Sequence, residues 1–393
     1  MIPAELPALA PAQLEALVDA HVVDLRAPVE FAQDHWPGAS NVPLFDDAQR
    51  ALVGTLYRQA SPDAAFDAAR GAVRARVRPF VAALAACGGR SAPALELESL
   101  VDEFTAPGLS ALSEALVTTP AAARDGMLVL YCQRGGMRSR STAALLGRLG
   151  WERVALVEGG YKAWRLGLVE RLAAWRAPRT FVLRGLTGVG KTLVLRELER
   201  LAPGSTLDLE DLAQHRSSVL GMVGRTPRTQ KQFETELALR LPHLRADLLF
   251  IEGESRKVGN VIVPPSVWGA LAGGENLELA APLERRVDVL LEDYLAGPNH
   301  RTQLEPQLAF LDERLRGRGF APSLVELLRQ GRERELVARL LEHYYDPLYR
   351  HSEQGRALQL RVDAGDPRAA AQRLLDFARA SSGAAAPYAG RSP

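Results

Sequence analysis

The stretch GLTGVGKT constrains the fold of this 393-residue chain more than any other part of its sequence. It fits the pattern G-x-x-x-x-G-K-[S/T], in which the backbone amides of a glycine-rich loop surround a phosphate group. The apolar run TFVLR precedes the loop and TLVLRELERL follows it, which predicts a strand entering the loop and a helix leaving it. This order predicts an α/β domain with a parallel sheet.

The pattern also predicts which residues contact the phosphate. Lys191 neutralises the outer phosphate, and Thr192 can hold Mg²⁺ where that metal accompanies the ligand. The residues predicted to bind phosphate are Gly185, Gly188, Gly190, Lys191 and Thr192. A second apolar strand, LLFIEGES, ends in Glu252 and Glu254, which are candidate metal or base residues. Inorganic phosphate, a nucleotide and an allylic diphosphate all fit such a loop.

A second loop, YCQRGGMRS, joins the apolar run MLVLY to a predicted helix. In a parallel sheet this run delivers Cys132 to the carboxyl edge, where α/β proteins place their sites. Gly135 and Gly136 let backbone amides point inward, while the start of the helix, Arg134 and Arg138 add positive charge. These features favour a thiolate nucleophile and predict an anion-binding loop that stabilises a persulfide or perselenide.

The cysteine loop is also compatible with a phosphatase. Cys132 and Arg138 have the spacing C-x5-R, which thiol phosphatases use to hold a phosphoryl group. Tyr131 stands where many such phosphatases have histidine, which favours chalcogen transfer slightly, and the loop alone leaves both chemistries open. The other cysteine, Cys87, lies in the apolar run FVAALAAC and is interpreted as a core residue.

Composition narrows the classes of protein that remain. Hydrophobic residues make up 47% of the chain and charged residues 24%, with a net charge of +1, as is ordinary for a soluble globular protein. No apolar run approaches the ~18 residues of a membrane span, and the first residues do not resemble a signal peptide. We therefore expect a cytoplasmic protein with reduced thiols and no membrane partner.

Two α/β units are predicted along the chain. The first covers residues 1–170, and its insertion at about 88–125 is interpreted as helical or as an ordered lid. The second covers residues 178–380, and its pattern turns helical from about residue 282. Residues 381–393 are rich in Ser, Ala and Gly and predict a disordered tail.

The first predicted unit resembles a rhodanese domain. The resemblance rests on VVDLRAPVEFAQDHWPGASNVPL, on the YCQRGGMRS loop and on VEGGYKAW. Rhodanese domains carry sulfur on a loop cysteine, which Cys132 matches. Asp24, Arg26 and Glu30 are then expected to brace neighbouring loops and not to react.

A rhodanese-like unit followed by a P-loop NTPase-like α/β unit with a helical C-terminal part resembles the bacterial tRNA 2-selenouridine synthase family. LDLEDLAQHRSSVLG, TQKQFE and EGESRKVGNVIVP also match this family. The resemblance implies a transferase that first geranylates wobble 2-thiouridine of tRNA with geranyl diphosphate. Selenium from selenophosphate then displaces the S-geranyl group. Cys132 would serve the selenium step, the P-loop would hold diphosphate, and no tightly bound cofactor is implied.

The alternative is a rhodanese-fold cysteine phosphatase or sulfurtransferase fused to a P-loop nucleotide-binding domain. Two motifs supply candidate contacts to the substrate or tRNA under either interpretation, HRSSVLG and ESRKVGNVIVP. A loop boundary and a solvated charge pair are equally good interpretations of these motifs. The candidate residues are His215, Arg216, Ser217, Glu252, Glu254, Arg256 and Lys257. Tyr344, Tyr345 and Tyr349 are interpreted as core residues.

Overall fold

The structure, a computed structural model, describes residues 5–15, 17, 19–91, 96–316, 321–352 and 356–383. The chain divides into two compact units between Glu170 and Arg171. Both units are built on parallel sheets, which confirms the predicted α/β class. Within the described ranges, no helix is both long enough and apolar enough to cross a membrane.

The first unit contains a six-stranded, all-parallel sheet in the order β3-β2-β5-β6-β1-β4. Its strands are β1 (Glu5–Leu9), β2 (His21–Asp24), β3 (Ser40–Asn41), β4 (Val117–Pro120), β5 (Leu128–Tyr131) and β6 (Val154–Val157). Its helices are α1 (Pro11–Leu14), α2 (Pro28–Gln33), α3 (Asp47–Gln59), α4 (Pro62–Cys87), α5 (Leu97–Thr105), α6 (Gly108–Ala115), α7 (Met137–Arg148) and α8 (Gly160–Ala174), of which α8 continues into the second unit. Every residue of β5 and β6 is buried, as expected for central strands of a parallel sheet covered on both faces.

The predicted insertion at about 88–125 contains α5, α6 and β4. Val101 and Phe104 of α5 and Leu112 of α6 are buried in the same hydrophobic core as Leu84 of α4. β4 pairs in parallel with β1 and completes one edge of the sheet. The described part of this segment therefore consists of two helices and an edge strand, which contribute to the core and the sheet of the unit and form no separate lid among the described residues.

The second unit contains a five-stranded, all-parallel sheet in the order β13-β12-β7-β9-β8. These strands are β7 (Arg179–Arg184), β8 (Thr206–Leu207), β9 (Leu248–Glu252), β12 (Glu275–Ala280) and β13 (Leu358–Asp363), and β10 (Lys257–Val258) and β11 (Val261–Ile262) form a separate antiparallel hairpin. The helices are α9 (Lys191–Leu201), α10 (Leu209–Ala213), α11 (Gln230–Arg240), α12 (Pro265–Gly273), α13 (Leu283–Tyr294), α14 (His300–Arg314), α15 (Leu324–Arg329), α16 (Glu333–Leu340), α17 (Asp346–Ser352) and α18 (Pro367–Gly383). A 3₁₀ turn covers Leu241–His243 and a π-helical turn covers Leu341–Tyr345.

The chain after residue 282 departs from the predicted helical pattern at one place. Helices α13 to α17 form as expected, but β13 then returns to the sheet beside β12. β13 is an edge strand and four of its six residues are exposed, so its sequence LQLRVD has no continuous apolar run. Of the predicted disordered tail, the first three residues belong to α18, and residues 384–393 lie outside the described residues.

Candidate functional sites: a cysteine loop and a phosphate loop

Cys132 follows β5 directly and lies at the carboxyl edge of the first sheet. Its side chain is 3% exposed, and Sγ lies 3.2 Å from the hydroxyl oxygen of Ser139, in the first turn of α7. The Ser139 hydroxyl also donates to the carbonyl oxygen of Gly136, at 3.2 Å. The thiol is therefore held at the start of a helix, where backbone amides and the helix dipole favour negative charge.

The loop after Cys132 packs backbone against backbone on the turn formed by Gly159 and Gly160. The carbonyl oxygen of Cys132 accepts a hydrogen bond of 3.0 Å from the amide of Tyr161. A Cβ atom at Gly160 would overlap that carbonyl oxygen, and Gly135 has a φ of +61° that favours glycine. The two glycines of the VEGGYKAW motif thus fix the shape of the cysteine loop, although they are distant from it in sequence.

The arginines of this loop have different surroundings. Arg138 forms an ion pair with Glu30, with 3.3 Å between Nη1 and Oε2, and Arg140 donates to the carbonyl oxygen of Gly135 at 3.0 Å. Burial of Glu30 opposes ionisation, but Arg138 and further hydrogen bonds outweigh it and lower the pKa of this carboxyl. Arg134 is exposed. The positive charge of Arg138, the arginine of the C-x5-R pattern, is therefore partly neutralised by Glu30. The guanidinium of Arg134 is exposed to solvent.

A buried ion pair lies near the cysteine loop and involves Asp24 and Arg26. Arg26 is 2% exposed and donates to both carboxylate oxygens of Asp24, at 2.6 to 3.0 Å, and to the carbonyl oxygen of Asp34 at 2.7 Å. Its guanidinium lies 3.8 Å from the ring centroid of Tyr161, whose hydroxyl donates to the Asp34 carboxylate. Since Tyr161 also binds the carbonyl of Cys132, this network connects the end of β2 to the loop.

The phosphate loop of the second unit connects β7 to α9, as its motif predicts. Gly188 and Gly190 have φ values of +77° and +92°, which bend the chain into the start of the helix. The ammonium of Lys191 donates to the carbonyl oxygen of Gly185 at 3.1 Å, across the loop. The amide of Gly185 donates to the hydroxyl of Tyr349 at 2.7 Å, so this predicted phosphate-binding residue has its amide occupied by the protein.

A buried arginine on α13 attaches the phosphate loop to the C-terminal helices. Nε of Arg286 donates to the carbonyl oxygen of Thr187 at 2.9 Å, and both Nη atoms bind the carboxylate of Asp346, at 2.5 and 3.0 Å. Arg286 is 4% exposed and Asp346 is 8% exposed. Sequence reasoning missed Arg286 and Asp346, because neither lies in a motif and they are brought together only by folding.

A cavity of about 810 Å³ opens in the second unit around this loop. Its walls come from the P-loop, from the segments around residues 216 and 254, and from the helices after β12. The predicted site residues that line it are Gly188, Gly190, Lys191, Thr192, Arg216, Ser217, Glu254 and Arg256. The predicted site residues of this unit that do not line it are Gly185, His215, Glu252 and Lys257.

The carboxylates near the P-loop divide into a buried group and a cavity-lining group. Glu252 is 0% exposed, and its Oε1 accepts a hydrogen bond of 2.6 Å from the amide of Glu210. Glu254 and Glu210 line the cavity beside Lys191. Of the two candidate metal or base residues, Glu254 lines the cavity and Glu252 does not. The side chain of Glu252, the last residue of β9, is buried in the protein and positions the start of α10.

Burial changes the proton affinity of Glu210 and Glu254, the cavity-lining carboxylates beside Lys191. Burial, aided by the negative charge of Glu254, raises the pKa of Glu210 to about 8, while Lys191 acts in the opposite direction. The pKa of Glu254 is also raised by burial. A proton can therefore reside on this pair near neutral pH. Across the described ranges, no group of three or more His, Cys, Asp and Glu side chains is arranged to hold a metal ion.

In the HRSSVLG motif, His215 and Arg216 form hydrogen bonds and an ion pair with other residues of the protein. Arg216 pairs with the carboxylate of Asp293 at 2.5 Å and donates to the carbonyl oxygen of Val223 at 2.6 Å. Nδ1 of His215 accepts a hydrogen bond of 3.1 Å from the amide of Ser217, and burial lowers the pKa of His215. His215 and Arg216 thus hold the cavity wall in place.

The second contact motif lies at the surface. Arg256 and Lys257 are exposed at the start of the β10–β11 hairpin, and Arg256 also lines the cavity. The HRSSVLG motif therefore supplies contacts that support the cavity wall, whereas the ESRKVGNVIVP motif supplies exposed positive charge.

Comparison with known proteins gives matches over both units. A family model described as the tRNA 2-selenouridine synthase AAA domain matches residues 178–316, and one described as a rhodanese-like domain matches residues 103–166. A tRNA 2-selenouridine synthase from Hydrogenovibrio crunogenus is 31% identical over 369 residues, covering 87% of this chain and 91% of that protein. The synthase from Bordetella petrii is 31% identical and covers 92% of this chain and 94% of its own length. For the synthase from Pseudomonas syringae the identity is 31%, with 89% and 93% covered.

Proposed function

The chain belongs to the tRNA 2-selenouridine synthase family, and on that basis we propose that it replaces sulfur by selenium in wobble 2-thiouridine of tRNA. The reaction proceeds in two stages. Geranyl diphosphate first alkylates the sulfur, and selenium from selenophosphate then displaces the S-geranyl group. Alkylation converts a poor leaving group into a good one, which is the chemical reason for two stages. With tRNA as the substrate, we expect the protein to act in the cytoplasm.

The first stage uses the P-loop. The sulfur of 2-thiouridine attacks the first carbon of geranyl diphosphate, the carbon–oxygen bond breaks, and diphosphate leaves with the electron pair. The loop amides and Lys191 stabilise the charge that develops on the leaving diphosphate. The attacked nucleobase loses its N3 proton, and Glu210 and Glu254 are carboxylates of the same cavity that can receive it. Where Mg²⁺ accompanies the diphosphate, Thr192 is the residue that would hold it.

The second stage uses the cysteine loop. The loop amides and Arg134 hold the phosphate of selenophosphate beside Cys132. Selenium attacks C2 of the modified base, the carbon–sulfur bond breaks, and geranylthiolate leaves with the electron pair. Water then cleaves the phosphorus–selenium bond and releases phosphate. We expect this stage to require Cys132, whose thiol lies at the start of α7.

The observation that carries the proposal is the presence of two different anion-binding loops in one chain. One places a thiol 3.2 Å from a serine hydroxyl at a helix start, and the other places Lys191 across a P-loop. Two substrates that both carry phosphate, one of them donating selenium, account for both loops. A cysteine phosphatase or sulfurtransferase fused to a nucleotide-binding domain would also account for both loops, and membership of the synthase family is what favours the two-stage transferase over it.

The test is mass spectrometry of tRNA nucleosides from a strain that lacks the gene and carries a variant of it. With Cys132→Ser we expect S-geranyl-2-thiouridine to accumulate and 2-selenouridine to disappear. With Lys191→Ala we expect unmodified 2-thiouridine to remain, because a charged contact worth about 1.5–3 kcal/mol is lost. Cys87→Ser is the matched control, since that thiol packs against the core of the first unit.

Normal 2-selenouridine in the Cys132→Ser strain would overturn the assignment of the selenium stage. The phosphatase alternative gives a different result. The wild-type protein would then hydrolyse aryl phosphates, and this activity would be lost in the Cys132→Ser protein.

A further inference from the structure

We propose that the half of the cavity lined by leucines is a chamber for the hydrocarbon chain of the diphosphate substrate, and that it excludes a nucleoside. The chamber is defined by the apolar residues that α13, α14, α15 and α16 contribute to the cavity wall, to which Glu292, Asp293 and Glu333 of the same helices also contribute. The inference rests on the proposed function, because it places one part of a substrate whose other part is held by the P-loop. It assigns to this P-loop an amphipathic ligand in place of a nucleotide.

The P-loop and the chamber are in direct contact. A Cβ atom at Gly188 would lie 3.0 Å from the side chain of Leu290 and 2.9 Å from the carbonyl oxygen of Arg286, both on α13. Lys191 and Leu290 line the same cavity. A ligand whose phosphates lie on the loop therefore meets a hydrocarbon wall next to its charged end.

The chamber walls are apolar on several helices. Leu304 and Leu308 come from α14, Leu328 from α15, and Leu336 and Leu340 from α16, and all five line the cavity. The same leucines belong to one hydrophobic cluster. A ribose and a base packed against these leucines would lose hydrogen bonds to water that the leucines cannot replace, which makes nucleoside binding at this wall unfavourable.

A hydrocarbon chain has the opposite preference. Each methylene group buried against such walls increases affinity about fourfold. The whole cavity, of about 810 Å³, lies in the upper part of the size range of pockets for small ligands and leaves room beyond a diphosphate. Removing one isoprene unit from a fully buried chain is therefore expected to weaken binding by up to ~10³-fold.

The chamber is also held in place relative to the loop. Arg286 joins the carbonyl of Thr187 to the carboxylate of Asp346, and therefore fixes α13 to α17 and to the P-loop together. Such a preformed site reduces the ordering cost of binding a flexible chain.

The experiment measures binding to the full-length protein by titration calorimetry. The probes are geranyl diphosphate, dimethylallyl diphosphate, inorganic diphosphate, ATP and tripolyphosphate. For the wild-type protein we expect geranyl diphosphate to bind tightest, and dimethylallyl diphosphate to bind between it and inorganic diphosphate. ATP is expected to bind no tighter than tripolyphosphate, because contacts between its nucleoside and the chamber add no favourable binding free energy.

Val337→Trp fills the chamber, since Val337 lines the cavity and is only partly buried. We expect this variant to bind geranyl diphosphate at least tenfold more weakly and inorganic diphosphate as the wild type does. Val325→Trp is the matched control, because Val325 packs against the same leucine cluster without lining the cavity. Val337→Ala, which enlarges the chamber without a bulky side chain, should raise the affinity for farnesyl relative to geranyl diphosphate.

The possible failures are distinguishable. Unchanged affinity for geranyl diphosphate in Val337→Trp, with inorganic diphosphate still competing, would overturn the chamber and leave the proposed geranylation intact. Tighter binding of ATP than of tripolyphosphate and geranyl diphosphate would identify a nucleotide site and overturn the chamber as well. A wild-type protein that binds neither geranyl nor inorganic diphosphate would overturn the first stage of the proposed function itself. An unchanged ratio of farnesyl to geranyl affinity in Val337→Ala would also contradict the chamber.

Discussion

The hydroxyl of Tyr349 accepts a hydrogen bond of 2.7 Å from the amide of Gly185, the first residue of the phosphate loop. The bond joins residues that are 164 positions apart and attaches the loop to α17. We expect Tyr349→Phe to weaken binding of inorganic diphosphate roughly threefold to tenfold, because a hydrogen bond of this kind contributes about 0.5–1.5 kcal/mol. Tyr344→Phe is the control, since Tyr344 packs against Tyr345 and does not line the cavity. Equal affinities in the two variants, measured by calorimetry, would show that this bond does not support the loop.

Ser139 offers a test of how the cysteine loop holds its thiol. Its hydroxyl lies 3.2 Å from Sγ of Cys132, so Ser139→Ala removes a polar partner of the thiol without changing the helix. We expect the selenium stage to slow by about 5–30-fold, which corresponds to the 1–2 kcal/mol of a hydrogen bond to a charged or buried group. Ser141→Ala is the control, because its hydroxyl donates within α7 to the carbonyl oxygen of Met137. The rate is followed as 2-selenouridine formed from S-geranylated tRNA, and an unchanged rate would contradict the role.

The carboxylates beside Lys191 predict a pH dependence of stability. Burial and the negative charge of Glu254 raise the pKa of Glu210 to about 8, so the folded protein binds a proton that the unfolded chain releases at lower pH. The contribution of Glu210 to the free energy of unfolding is therefore largest below its ordinary pKa and declines as pH rises through about 8. Asp208 acts in the same direction on Glu210, whereas Lys191 and Arg225 oppose it.

Glu210→Gln should flatten this dependence and make the protein more stable than the wild type at pH 8.5. Urea unfolding of the variant and the wild type at several pH values measures this difference in stability.

The variant and the wild type can also be compared in their affinity for diphosphate, because ionised Glu210 repels the ligand. Taking the ratio of variant to wild-type affinity at each pH removes the titration of diphosphate itself. A ratio that stays constant across pH 7 to 9 would contradict the assignment.

Arg256 and Lys257 predict a salt dependence of tRNA binding. Both are exposed at the start of the β10–β11 hairpin, and contacts to phosphates release counterions. The Arg256→Ala/Lys257→Ala double variant should make the slope of log K against log salt shallower by roughly 0.7 for each lost contact. Arg200→Ala/Arg245→Ala removes equal charge from surface ion pairs and should leave the slope unchanged. Identical slopes for both double variants would exclude the hairpin from the tRNA interface.

The two loops could be predicted from sequence because each is encoded by contiguous residues. β5, Cys132 and α7 follow one another directly, as do β7, the P-loop and α9, so local patterns place the site residues at the sheet edge. Arg286 and Tyr349 could not be predicted in this way. They reach the P-loop from 99 and 164 residues away and belong to helices whose sequences resemble any amphipathic helix.

Two candidate residues have surroundings that their motifs do not reveal. The side chain of Glu252, the last residue of β9, is enclosed by the protein, whereas Glu254 lies two residues past the strand and lines the cavity. Arg216 was a candidate contact from its motif, with a loop boundary as an equally good interpretation; in the fold it lines the cavity and pairs with Asp293. The ion-pair partner of an arginine depends on the tertiary structure and cannot be predicted from a short motif.

The helices that form the apolar chamber lie between two strands that are neighbours in the sheet. β12 and β13 pair in parallel, and α13 to α17 are the connection from one to the other. In most α/β domains such a crossover is a single helix. Here the crossover itself forms the chamber, so the length and apolar side chains of α14 to α16 can change without altering the strand order or the contacts of Arg286 and Tyr349 with the P-loop. Relatives with a longer or shorter connection at this point would therefore be expected to accept chains of different length at an unchanged diphosphate site.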